Sequence, residues 1–413
     1  MPNWKEYKLS ELVETVIDNR GKTCPVQDTG FPLIATNCIR NEKLYPDFVN
    51  VRYVSDETYR NWFRGHPEPC DLIFVLKGTP GRVCWTPDPV NFCIAQDMVA
   101  LRAKKELIYP KYLFAVLRSP MVQQKIESLH VGSLIPHFKK GDFDKLLIPV
   151  IEDYSLQKYI GDTYYDFCDK IELNNQINQE LEALAQALFK QWFIDFEFPN
   201  ENGQPYKSSG GEMVESELGE IPKGWKVGAI YDVSDVINGA PFKSSLFNKE
   251  KIGLPLIRIR DLKTNEPQFW TNEQHPKGMI IKPGDLIVGM DAEFRPHFWL
   301  GSNAWLNQRL CQFKPKNNYS RLFIREVIRP QLQFFENSSV GTTVIHLGKG
   351  DIDSFKSIIP SSAVLTEFYN LSETIVEAIV DNSGESKNLQ NLRDVLLPKL
   401  ISGELEVSEA LTG

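Results

Sequence analysis

From about Ser155 to Phe196 apolar residues return at every seventh position. Ile160, Phe167, Leu181 and Leu188 form one stripe around Asn174, with Tyr164, Ile171, Ala185 and Trp192 beside it around Asn178. Heptads sustained over five repeats predict one long helix whose seam packs on another helix. A second stripe, Phe368, Ile375, Asn382, Leu389 and Leu396, follows the first in order 208 residues later and keeps its polar position. A lone Asn in an apolar seam costs stability but fixes register, so Asn174 and Asn382 are read as helix-register residues. The competing reading places each at a solvent-facing break, which Ser383-Gly384 favours in the second helix. Forty helical residues rise about 60 Å. If the chain has a pseudo-two-fold axis, two such helices pair antiparallel and act as a spacer.

Outside these helices the period shortens to that of strands. Cys70 to Trp85 reads as strand, glycine turn, strand, and Gly284-Asp285-Leu286-Ile287-Val288-Gly289-Met290 followed by Asp291 to Arg295 reads as its counterpart. The correspondence extends well beyond one hairpin. Gly132 to Asp144 (GSLIPHFKKGDFD) recurs as Gly341 to Asp353 (GTTVIHLGKGDID), Pro32-Leu33-Ile34 as Pro255-Leu256-Ile257, Asp71-Leu72-Ile73 as Asp285-Leu286-Ile287, Gln96 as Gln308, and Tyr109–Pro120 runs parallel to Tyr319–Pro330. The offset drifts from 223 residues at Pro32/Pro255 to 209 at Gly132/Gly341. The chain is therefore two similar halves that diverged by loop insertion, and loops are where recognition tends to reside.

These signals divide the chain into a first globular domain (1–150), a central long helix (151–198), a turn-rich and mobile linker (199–224), a second globular domain (225–362) and a C-terminal long helix (363–406). The expected fold is α+β: two similar globular domains separated by two long helices that form an antiparallel coiled coil.

Composition adds a charge contrast to this plan. The net charge is -8, yet residues 1–150 hold 20 basic and 17 acidic groups and 225–360 hold 18 and 13, while 151–224 hold 5 and 15 and 361–413 hold 3 and 9. The globular parts are mildly basic and the helical parts acidic, so phosphate contact is reasonable for the former. Apolar runs fall short of the roughly 18 residues that cross a bilayer, and the opening Met1 to Glu6 lacks a signal-peptide layout. Seven cysteines without a Cys-x-x-Cys pair imply free thiols in a reducing cytosol. A zinc site from Cys84, Cys93 and His66 has the wrong spacing for known patterns, and buried packing is the favoured alternative.

Catalytic signatures are missing. The sequence has no Asn-Pro-Pro-Tyr or Asp-Pro-Pro-Tyr for amino methylation, no His-Glu-x-x-His, and at Gly348-Lys349-Gly350 neither the spacing nor the Ser or Thr of a phosphate-binding loop. His137 and His346 match each other, which suggests a repeated packing or hydrogen-bonding role. Asp142 and Asp144 recur as Asp351 and Asp353 at expected helix starts, where acids cap.

The arrangement resembles the specificity subunit of type I restriction-modification enzymes over essentially the whole chain. Carrying the resemblance are Leu181 to Lys190 (LEALAQALFK), Leu392 to Leu405 (LRDVLLPKLISGEL), the Gly341 block and the entry Glu217 to Trp225 (ELGEIPKGW). The first domain departs from the family pattern in its cysteine-rich loops and in Pro136-His137-Phe138. The resemblance implies a non-catalytic subunit with two target-recognition domains, each reading one part of a bipartite asymmetric site on double-stranded DNA, with the helices setting the unread gap. It implies two methyltransferase subunits docked on the helices and restriction subunits beyond them. S-adenosylmethionine, ATP and Mg2+ would be used by those partners, with no cofactor or metal on this chain, and the complex would be cytoplasmic and away from membranes.

The candidates for DNA contact are cations on expected loops or domain edges: Lys22, Lys77, Arg82, Lys139 and Lys140 in the first domain, and Lys243, Arg258, Arg260, Arg295 and Lys349 in the second. Such groups neutralise phosphate, and Arg or Lys can read guanine. A hairpin Arg held only by solvent is the plain alternative for Arg82 and Arg295. The rival reading of the whole chain is a two-domain protein-interaction scaffold without direct DNA readout.

Overall fold

The computed structural model describes residues 3–19, 22–129, 136–291, 294–337 and 346–405. The chain divides into two compact units, one made of residues 1–173 and 386–413 and the other of residues 174–385. The duplicated block is described only in part, since Gly132 to Ile135 and Gly341 to Ile345 lie outside the described residues.

The first unit runs through β1 (Trp4–Lys8), α1 (Leu9–Leu12), β2 (Val13–Asp18), β3 (Phe31–Ile34), β4 (Arg52–Val54), α2 (Asp56–Asn61), β5 (Leu72–Val75), β6 (Val83–Trp85), β7 (Cys93–Ile94), β8 (Met98–Ala103), α3 (Pro110–Arg118), α4 (Pro120–Leu129) and β9 (Leu147–Ile151). It then enters α5 (Tyr154–Phe189). The strands form a four-stranded sheet β2-β8-β5-β6, a three-stranded sheet β4-β3-β7 and the ribbon β1-β9. Strand β5 is apolar and buried at all its residues because its two faces serve two cores. Leu72 and Phe74 point to the cluster built with Leu113, Phe114 and Ile160, while Ile73 and Val75 point to the one built with Ile34 and Ile94. Alternation at period two splits a continuous apolar run in this way.

The second unit begins in the later turns of α5, which ends in one π turn, Lys190–Ile194. It continues through β10 (Met213–Val214), β11 (Ile221–Pro222), β12 (Lys226–Ala229), α6 (Ile230–Val233), β13 (Ser234–Asn238), β14 (Leu254–Ile257), β15 (Phe269–Thr271), β16 (Ile280–Ile281), β17 (Leu286–Gly289), β18 (Pro296–Phe298), β19 (Ala304–Leu306), β20 (Leu310–Pro315), α7 (Arg321–Asn337), α8 (Lys349–Asp353), β21 (Lys356–Ile359) and α9 (Ser362–Ser402). Its sheets are β13-β20-β17-β18, β15-β14-β19-β16 and β12-β21. The first unit's strand order is thus repeated, with β16 added. Leu286 and Val288 again face one core and Ile287 the other.

The heptad seams pack within each unit, half-buried at Phe167, Leu181, Leu188, Leu389 and Leu396 and buried at Ile160, Tyr164, Ile171, Ala185, Trp192, Phe368 and Ile375. In the first, Ile160, Tyr164 and Cys168 share a core with Leu397, Leu400 and Ile401. In the second, Ala185, Phe189 and Trp192 share one with Phe368, Ile375 and Ile379. Numbers rise on one helix as they fall on the other, so the pairing in each unit is antiparallel.

The register residues do not face solvent. Asn174 is fully buried, and its Nδ2 donates to the Asn382 carbonyl oxygen (3.3 Å) and to Glu385 Oε2 (2.8 Å). Asn382 Nδ2 donates to Asn178 Oδ1 at 2.9 Å. Helix α9 runs unbroken through Ser383-Gly384, because the Ser383 hydroxyl donates back to the Ile379 carbonyl (2.7 Å) and accepts from Asn178 Nδ2 (3.1 Å). The expected break is absent.

The segment read as a mobile linker is folded. Tyr206 stacks on Phe198 (centroids 4.7 Å apart), Phe198 stacks on Trp225 (5.0 Å), and Asn200 Oδ1 accepts from the amides of Asn202 and Gln204. Its polar composition hid this aromatic stack, of which Phe198 and Trp225 lie just outside its two ends and Tyr206 within it.

Of the repeated acids, the first of each pair caps as expected: Asp142 Oδ2 accepts from the Lys139 amide (3.1 Å) and Asp351 Oδ2 from the Gly348 amide (2.8 Å), whereas Asp144 accepts from the Ser10 hydroxyl. Cys84 and Cys93 are wholly buried, and burial pushes the Cys93 thiol up to about 12. His66 stacks on Tyr59 with centroids 4.0 Å apart. Among the described residues no group of three His, Cys, Asp or Glu is placed to hold a metal ion, and no helix is long and apolar enough to cross a membrane. Of the seven cysteines only Cys70 is exposed, so a thiol-reactive chromophore should titrate one cysteine in the folded chain and all seven after denaturation; Cys70→Ser should remove the fast reaction.

Candidate nucleic-acid interface

Register shows where the candidate cations gather. In the first unit Asp18 pairs with Val99, Val75 with Met98 and Phe74 with Val83. The ends of β2 and β5 and the starts of β8 and β6 therefore share one edge of the large sheet. Lys22 follows β2, Lys77 follows β5 and Arg82 precedes β6 at that edge.

Residues 136–140 are tied to the same edge by main-chain bonds. Leu76 donates to the Asp97 carbonyl (2.8 Å) and accepts from the Phe138 amide (2.8 Å), Gly78 donates to the Pro136 carbonyl (3.0 Å), and Lys77 bridges His137. Phe138 is fully buried against Phe74 and Phe143, which leaves Lys139 and Lys140 exposed at the rim. Lys140 pairs with Asp18.

The second unit repeats this geometry. Asn238 pairs with Cys311, Gly289 with Leu310 and Val288 with Pro296. Met290 donates to the Arg309 carbonyl (2.9 Å) and accepts from the Leu347 amide (2.8 Å), and Asp291 bridges His346. The matched histidines thus lie opposite the hairpin turn, and His346 Nδ1 reaches Asp291 Oδ1 there (2.8 Å). Lys349 is exposed at the start of α8, and Lys243 is exposed with its amide on Glu273 Oε2 (2.8 Å). Arg295 lies 3.7 Å from Glu336 and lines a cleft of about 490 Å³ with His297, Arg329 and Gln333.

Not every candidate is presented freely. Arg82 is half-buried and its Nη1 donates to the Ile39 carbonyl at 3.4 Å. Arg258 is half-buried over the Phe269 ring (4.3 Å), with Nη2 on Gln268 Oε1 (3.1 Å) and Nε 3.6 Å from Asp261. Arg260 is exposed on the turn Ile259–Asp261, beyond the β14 end that runs level with the end of β19.

The same edge in the second unit also carries Arg309, which the sequence reading passed over. Its guanidinium Nη1 lies 3.5 Å from Asp291 Oδ1 and 3.0 Å from His346 Nδ1, and His346 Nδ1 lies 2.8 Å from the same Asp291 oxygen. The matched glutamines Gln96 and Gln308, both exposed, stand one residue before Asp97 and Arg309 and were the signal that pointed here.

Two copies of one sheet edge, each carrying exposed cations, thus occur in a chain that matches a known family. The family model for the type I restriction modification DNA specificity domain covers residues 1–183 and 222–375. This chain belongs to that family. It is 29% identical over 389 residues to the type I restriction enzyme MjaIX specificity subunit of Methanocaldococcus jannaschii, covering 88% of this chain and 86% of that one. Against the HindI specificity subunit of Haemophilus influenzae identity is 24% over 477 residues, covering 98% and 100%. The S subunit from M. genitalium has the same fold, with a TM-score of 0.57 at 14% identity, covering 98% of this chain and 97% of the other. The specificity subunit described here therefore displays one such sheet edge per unit, with Lys139 and Lys349 exposed on the two and Lys349 the counterpart of Lys140.

Because both ammonium groups stand at the rim, each should act as a phosphate contact. Lys139→Ala and Lys349→Ala are expected to weaken binding to cognate and unrelated duplexes alike, each lowering the slope of log affinity against log salt by about 1. Arg295→Ala, at the hairpin turn, should instead weaken binding to one half-site only, measured by titrating duplexes with either half scrambled.

Proposed function

We propose that this specificity subunit reads a bipartite, asymmetric site on double-stranded DNA, one sheet edge to each part, with the length of the two helices setting the unread gap. The carrying observation is the duplicated edge: identical strand order, identical main-chain fastening, and different exposed side chains at equivalent positions. A chain with two reading heads that differ in side chains suits a target whose two parts differ in bases.

The acidic helices offer the phosphate backbone little, and their exposed apolar residues, among them Leu173, Leu184, Leu392 and Val395, suit protein partners. Two methyltransferase subunits that use S-adenosylmethionine fit there, with ATP- and Mg2+-dependent restriction subunits joining them. The chain itself would be non-catalytic and bind no cofactor, and the complex would work in the cytoplasm, where the DNA and those co-substrates are.

Mapping modified adenines in DNA from cells carrying the chain with its partner subunits tests this reading. A split motif with a fixed gap is expected. Modification scattered without a motif, or a single uninterrupted motif, would refute it.

A further inference from the structure

Arg309 is held in a backbone conformation that its side chain does not favour. Its φ is +70°, in the left-handed region where a β-carbon is crowded and glycine sits without strain. The equivalent residue of the first unit, Asp97, has φ +72°. Both precede the strand that enters the large sheet, and both use their carbonyl to accept the amide of the hairpin turn. Glycine would make that main-chain bond equally well. A non-glycine residue at this position in both units, strained for Arg and less so for Asp, points to a use for the side chain.

The neighbours of these two residues are inverted in charge. Lys77 faces the turn beside Asp97, whereas Asp291 occupies the Lys77 position beside Arg309. The Arg309 side chain is 55% exposed, and its guanidinium Nη1 stands 3.5 Å from Asp291 Oδ1 and 3.0 Å from His346 Nδ1. An exposed Arg with one Nη beside a carboxylate, at the rim of an edge proposed to face DNA, keeps its remaining donors for the O6 and N7 acceptors of guanine.

We propose that the left-handed residue at each sheet edge reads a base, Arg309 taking a guanine in one half-site through its Asp291- and His346-supported guanidinium and Asp97 accepting from a cytosine amino group in the other. The proposal rests on the DNA-reading function above. It adds to the phosphate contacts one position per head at which base identity is decided.

The test uses the full chain assembled with its modification subunits and a pool of randomised duplexes, the bound fraction being sequenced. The wild type should select a split motif. Arg309→Gly relieves the backbone, so the protein should fold with its melting temperature unreduced; guanine enrichment at one position of one half should fall by about 5- to 150-fold while the other positions stand. Arg309→Gln should move the preference at that position towards adenine, which the amide reads in a bidentate manner. Asp97→Gly should level one position in the opposite half. An unchanged motif in Arg309→Gly, or an even loss over all positions, overturns the assignment and leaves Arg309 a structural or phosphate-binding residue. If the wild type selects no motif at all, DNA reading itself fails and the inference falls with it.

Discussion

At the end of each large sheet a single hairpin residue is tied on two sides. Leu76 in one unit and Met290 in the other each donate to the residue before the last sheet strand and accept from the duplicated block. These are main-chain bonds, each worth about 0.5–1.5 kcal/mol net, and they are indifferent to the side chains of the residues that make them. Phe138 and Leu347, fully buried, anchor the block that supplies them. The edge is thereby fixed in shape while its side chains remain free to differ.

Charge is distributed along the same division. The globular parts carry an excess of cations and the helices an excess of acids. Within the helix pair of the second unit, buried and half-buried amides replace apolar contacts at one level: Asn174 donates to the Asn382 carbonyl, Asn382 to Asn178 Oδ1, and Asn178 to the Ile379 carbonyl. A shift by one heptad would strand those groups in an apolar seam, and leaving a buried amide unsatisfied costs roughly 1–3 kcal/mol, so the pairing has one favoured register.

The architecture was legible because duplication doubles every signal. The heptads, the paired hairpins and the caps at Asp142 and Asp351 are all places where local pattern and tertiary structure agree. What escaped is equally specific. Arg309 was hidden because its counterpart is Asp97, and a charge inversion looks like a mismatch when two copies are compared by residue type. Arg258 looked like a loop cation, yet the Phe269 ring and Asp261 engage it, contacts that sequence spacing does not show. The stretch around Tyr206 reads as polar and turn-rich, and only its stacking partners Phe198 and Trp225 give it shape. Ser383-Gly384 has the composition of a helix stop, but a hydroxyl bonded back to Ile379 and forward to Asn178 carries the helix past it.

The second unit is one uninterrupted stretch of chain, whereas the first is completed by Leu397, Leu400 and Ile401 from the last helix. During translation the head that leaves the ribosome earlier is therefore the later to close. Ile401 emerges 228 residues behind Leu173, an interval of about 10–45 s at roughly 5–20 residues per second. For that time Ile160, Tyr164 and their neighbours lack their covering side chains, and a chain halted just ahead of Leu397 would hold every residue of the second unit while the first unit's core stayed open.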